Sequence, residues 1–197
     1  MRTTGGTFTI AIGLGLLTGM VGTAEAQNRE MFELPALAVT VFQSPLHSRA
    51  MELYDVPERW EEAGELHERA AGLLPKNDAA AYFAYHRAAL LYFYAGKTPR
   101  ARKAMEKAAD VAEATGDVLT AAHTWVDAAF LAVAEGYAGK KREFVRAVRE
   151  LADSELLDDD DRRSILARVD GTTVSPEGAR LAMSHRLASP LDLRPAD

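Results

Sequence analysis

Between residues 78 and 96 the chain reads DAAAYFAYHRAALLYFYAG, and its apolar positions do not fall on one stripe. At about 100° per residue, Tyr82, Tyr85, Ala89 and Tyr92 share one side. Phe83, His86, Leu90 and Tyr94 share another, with Phe93 between them. Asp78 is placed to cap the first open backbone amides, and Gly96 to take the left-handed conformation that ends a helix. A helix of about five turns that is apolar on nearly two faces needs partners on both. Nothing local supplies them, so the helices before and after must pack around it.

Those helices are legible from their ends. Ser44-Pro45 and Thr98-Pro99 each pair a capping hydroxyl with a proline in the first turn, where the missing N–H costs nothing. The pattern predicts helices over 44–55, 57–74, 78–96, 98–116 and 117–136, and a shorter one after Gly139 to about 151. These form three hairpins. Four aspartates at 158–161 then precede a short amphipathic helix over 162–169. Carboxylates at a helix N-terminus are favoured by the helix dipole. A cation site is the competing reading, but the alternating ligands and glycine of a calcium loop are missing. Ser175-Pro176 opens a last helix to about 187 whose apolar residues Ala179, Leu181, Ala182, Met183 and Leu187 make a ragged stripe. It is placed to close the open end of the stack.

The N-terminal stretch has a different pattern. Residues 1–26 carry Arg2, an uncharged apolar run from Phe8 to Val21, and Ala24-Glu25-Ala26, the order of a secretory signal peptide cleaved after Ala26. The alternative is that residues 7–24 are retained as a membrane anchor, although glycines at 13, 15, 19 and 22 interrupt the run. Residues 27–43, β-branched and alternating in part, read as an extended arm or linker: it lies over the first helices, is a disordered linker, or is a strand offered to a partner's sheet edge.

Composition narrows the chemistry. A net charge of −6 and no basic stripe leave no electrostatic footprint for nucleic acid. The absence of cysteine removes disulfides, thiol catalysis and thiolate metal sites. None of the five histidines stands three or four residues from another, and His67-Glu68 continues with Arg69, Ala70 and Ala71, which breaks the metalloprotease pattern. There is no glycine-rich phosphate loop and no nucleophile elbow. The sequence therefore gives no sign of an enzyme, a cofactor or a metal.

The spacing inside the hairpins carries a resemblance. Tyr54, Trp60, Ala63, Ala70 and Pro75 fall in one period, Tyr85, Ala89, Tyr92, Gly96, Ala101 and Ala108 in the next, and Trp125 and Ala129 in a third. This resembles the tetratricopeptide repeat, whose period is about 34 residues. The likeness covers residues 44–153. His47 and Met51 fit it poorly, and a short insertion precedes Tyr82. It implies an all-α fold, a right-handed stack of about three such hairpins, with C-terminal capping helices over 154–188 and a tail over 189–197.

The resemblance also implies a function: an exported, non-catalytic module holding a peptide or partner protein in a concave groove. Carried over by register, that groove is lined by Arg49 and Glu52, then Phe83, His86, Arg87, Leu90 and Phe93, then Val126, Asp127 and Phe130. Two alternatives stand beside it. The arm or the terminal helix fills the groove, and these residues are core. Or the chain is a small-molecule carrier with a pocket at the His86 and His123 end, or an accessory subunit of a larger cell-envelope complex. Contact with a membrane is expected only through an uncleaved signal segment, and no oligomeric state is indicated.

Overall fold

The computed structural model describes residues 44–187 and 189–190. The signal segment 1–26, the arm 27–43 and the tail from 191 lie outside the described residues. Within them all regular structure is helical: α1 (Pro45–Met51), a 3-10 turn (Pro57–Arg59), α2 (Trp60–Ala71), α3 (Ala79–Tyr94), α4 (Thr98–Thr115), α5 (Val118–Glu135), α6 (Ala138–Ala152), α7 (Asp159–Asp170) and α8 (Pro176–Arg186). The all-α expectation holds. Among the described residues no helix is long and apolar enough to cross a membrane.

Three consecutive helices stop in the same way. Gly96, Gly116 and Gly136 have φ of 73°, 78° and 78°, a region that penalises a Cβ. The next amide then turns back onto the helix: Lys97 N donates to Tyr92 O at 2.8 Å, Asp117 N to Ala112 O at 3.1 Å, and Tyr137 N to Ala132 O at 2.8 Å. This closure satisfies carbonyls that would otherwise be orphaned and reverses the chain within two residues. It also explains two shifts from the expected boundaries. Lys97, not Thr98, is the N-cap of α4, and α6 begins before Gly139. A helix restarts at once after such a turn. Asp78, Asp117, Asp158 and Ser175 cap as their positions suggest, each accepting a backbone N–H of the first turn.

Each helix from α1 to α6 packs on the next in sequence. Short connections between neighbours make them antiparallel. Side chains then tie alternate helices into two layers. In the inner layer, Arg87 Nη1 of α3 lies 3.3 Å from Met51 Sδ of α1, and Tyr82 Oη of α3 lies 3.4 Å from Thr124 Oγ1 of α5. In the outer layer, Arg100 of α4 reaches Glu65 of α2 at 2.8 Å, Lys107 reaches Glu68 at 2.6 Å, and Lys140 of α6 reaches Glu106 of α4 at 2.8 Å. Alanines let the backbones approach: Ala88, Ala89, Ala101 and Ala108 are fully buried.

The C-terminal helices finish the core. α7 packs on α6 and α5, and α8 packs on α5. Ala179, Met183 and Leu187 recur every four residues and are buried, so the ragged stripe resolves into one narrow apolar seam. Leu181, which belonged to the expected stripe, is 60% exposed. With neighbours on four sides, α5 is buried around its whole circumference from Ala121 to Ala132, His123 alone being half-buried.

Candidate functional site

The inner layer carries every residue expected to line a groove, but it divides them into two groups. Arg49 and Glu52 are exposed, and Phe83, Arg87 and Phe93 are half-buried. These five lie at the α1 and α3 end. His86, Leu90, Val126, Asp127 and Phe130 are buried, Val126 completely. The α5 part of the face is occupied by the chain itself, through α7 and α8.

The occupant is anchored by charge. Arg186, in the last turn of α8, donates from Nε to Asp127 Oδ1 at 2.9 Å, and its Nη2 reaches the same oxygen. Its guanidinium also lies over the Phe130 ring, 5.4 Å from the centroid. Arg168 of α7 donates from Nη2 to Asp127 Oδ1 at 3.2 Å and from Nη1 to His123 Nδ1. One buried carboxylate thus holds two terminal helices. A hydrogen bond from Tyr94 Oη to Leu187 O, at 2.8 Å, fixes the end of α8 to α3.

Beyond the two arginines, burial disfavours charge on the titratable groups near Asp127. Burial holds His86 down at about 4, with Arg87 adding to the effect and Asp127 opposing it. Burial likewise lowers His123, again against the pull of Asp127. Tyr82 is pushed up to about 12 by burial, with Asp127 and Asp117 contributing. The polar groups here hold helices together.

A second polar cluster joins α1, α2 and α3. Tyr54 Oη and His67 Nε2 are 2.7 Å apart, and His47 Nδ1 and His67 Nδ1 are 3.3 Å apart. Arg87 Nη1 lies 3.5 Å from Tyr54 Oη. His67 is fully buried and held well below the usual imidazole range, first by burial and then by His47 and Arg87. His47 is held down at about 4 by burial and Arg87.

Sequence spacing could not find either cluster. His47 and His67 are brought together only by the α1–α2 packing, and Arg168 and Arg186 only by the return of the C-terminal helices. The four aspartates do what the dipole argument expects: Asp158 Oδ1 accepts from the amides of Asp160 and Asp161, Asp159 pairs with Arg162 at 2.9 Å, and Asp160 pairs with Arg163. The basic run after Gly139 is partly engaged, Lys140 pairing with Glu106 and Glu143. Further along α6, Lys141, Arg142, Arg146 and Arg149 surround Val145 in a shallow open concavity of about 410 Å³. Its walls come from α6 and its C-cap Asp153.

No family model, curated protein or solved structure matches the chain.

Proposed function

We propose that the protein is an exported, non-catalytic interaction module. In this reading its hairpins form a right-handed tetratricopeptide-like stack that holds a peptide or partner segment on the inner face. One observation carries the proposal: the α5 part of that face already holds a helix, α8. That helix is seated by a narrow apolar seam and an arginine on Asp127. Helix-in-groove recognition uses the same elements, apolar anchors at helical spacing and a charge that fixes orientation. The neighbouring strip, with Phe83, Arg87 and Phe93 half-buried and Arg49 and Glu52 exposed, offers a partner the same combination.

A photo-crosslinking residue at Phe83 or Arg49, in cells that make the protein, is expected to trap one discrete partner. The same residue at Lys103, exposed on the outer layer, is expected not to trap it. Identical trapping from both faces would end the reading.

A second reading, a small-molecule carrier with its pocket at the His86 and His123 end, has one observation in its favour. Asp127 lies close enough to perturb both histidines. Native mass spectrometry of protein from its own source separates the two, by a bound small mass or a bound chain.

A further inference from the structure

α8 is seated like a bound ligand, and less firmly than its neighbour α7. Its buried anchors are Ala179, Met183 and the C-cap Leu187, while Arg180, Leu181, Ser184 and His185 are exposed. It packs mainly on α5, helped by bonds from Arg180 Nη2 to Ala134 O at 3.2 Å and from Tyr94 Oη to Leu187 O at 2.8 Å. α7 is tied to two helices. It packs on both α5 and α6, and Arg162 donates to the carbonyls of Ala152 and Ser154, at 2.7 and 3.2 Å. The shared carboxylate then lets α8 leave without orphaning a buried charge. Asp127 Oδ1 keeps the Nη2 donor of Arg168 at 3.2 Å when Arg186 passes to water.

We propose that α8 is a displaceable stand-in for the partner, and that the partner segment is a helix with the same elements: apolar side chains at i, i+4 and i+8, and an arginine at i+7. This rests on the reading of the inner face as a partner-binding surface and specifies what that surface takes. Departure of α8 uncovers Asp127 beside the Phe130 ring, a carboxylate and an aromatic face that suit a guanidinium together. The apolar residues of the incoming helix fill the seam that Ala179, Met183 and Leu187 vacate. A helix that is acidic at i+7 meets Asp127 and is refused. The closed α8 also sets the affinity, because the partner sees only the fraction of chains in which the seat is open.

The test uses the full chain and a fluorescein-labelled peptide of residues 174–187, followed by anisotropy. Met183→Asp in the chain loosens α8 and leaves the α5 face as it is. That variant should bind the peptide about 10–100-fold more tightly than the parent does. Leu187→Ser, a milder cut at the last anchor, should act in the same direction and covers the case in which Met183→Asp does not fold. The peptide carrying Arg186→Glu should lose the gain. In the parent, hydrogen exchange should show the α8 amides opening at least about 10-fold faster than those of α5. Equal peptide binding by the parent and the folded loosened variant overturns the proposal, as does binding indifferent to Arg186→Glu. Exchange of α8 no faster than that of α5 overturns it too, since α8 then leaves only when the whole chain unfolds. A partner crosslinked at Arg49 or Phe83 while the peptide fails to bind refutes the stand-in role of α8 and leaves the interaction reading in place.

Discussion

Tyr92 leaves no room for a side chain at Gly64: a Cβ there would meet Tyr92 Cε1 at 2.8 Å. The ring cannot retreat. Tyr92 is fully buried, its hydroxyl donates to Glu68 Oε2 at 2.9 Å, and Arg100 covers its face at 4.4 Å from the centroid. The absence of a Cβ is therefore what sets how closely α2 approaches α3.

Gly64→Ala should destabilise the protein although alanine is the better helix former. Propensity gains about 1 kcal/mol in a helix interior, while overpacking a rigid site costs about 1–3 kcal/mol. A net loss of up to about 2 kcal/mol is expected in urea unfolding. A raised midpoint would mean that the two helices can move apart.

Much of this was open to sequence reasoning, for a local reason. Gly96, Gly116 and Gly136 end helices by their own conformational freedom, and Asp78, Asp117, Asp158 and Ser175 start them by bonds within one turn. The apolar surround of α3 likewise announced neighbours on both sides. What stayed hidden depends on residues far apart in the chain. The α8 stripe looked ragged because Ala179, Met183 and Leu187 are buried while Leu181 is exposed, and no pattern assigned Arg186 to Asp127, 59 residues away. The residues expected to line a groove lie on α1, α3 and α5, and their division into buried and exposed groups needed the fold.

Two arginines of α4 should differ sharply on removal. Arg100 pairs with Glu61 and Glu65, but its side chain is 40% exposed. Arg102 is 5% exposed and holds both Glu106 and Glu135 at 2.7 Å. Exposed pairs contribute about 0–1 kcal/mol, and the added cation–π contact at Tyr92 is of similar size. Stripping a buried cation from two carboxylates costs several times more. Arg100→Ala should therefore cost about 1 kcal/mol and Arg102→Ala about 2–4 kcal/mol. Equal midpoints for the two variants would contradict the layer packing.

Acid should unfold the protein through its histidines before its carboxylates. His86 is held at about 4 and His67 well below its ordinary value, whereas both return to about 6.5 on unfolding. Between those values the unfolded chain binds more protons than the folded one, so stability rises with pH across the window. Their contribution is complete above about pH 6.5 and is lost as pH falls towards 4. Unfolding free energy should drop by about 2 kcal/mol between pH 7 and pH 5 through His86, with His67 acting in the same direction. His86→Gln should flatten part of that slope. A profile that is level from pH 7 to pH 5 would mean that these imidazoles are not buried.

Asp127→Asn tests what holds the C-terminal helices to the stack. The substitution keeps the shape of the side chain and removes the charge that Arg168 and Arg186 share. Both guanidiniums are then left in a mostly buried site with a neutral acceptor and with His123, which burial already keeps uncharged. Removing one partner from such an arrangement costs about 3–5 kcal/mol when fully buried; because the arginines are 18–22% exposed, about 2–4 kcal/mol is expected here. The loss should be local. α8 packs mainly on α5, with one further bond from Tyr94 of α3, so its amides should exchange faster while the α3–α4 core keeps its protection. Arg186→Leu should show the same pattern more weakly, since Arg168 still satisfies the carboxylate. If α8 exchanges no faster in Asp127→Asn than in the parent, its apolar seam alone seats it, and the charge has no part in holding the inner face closed.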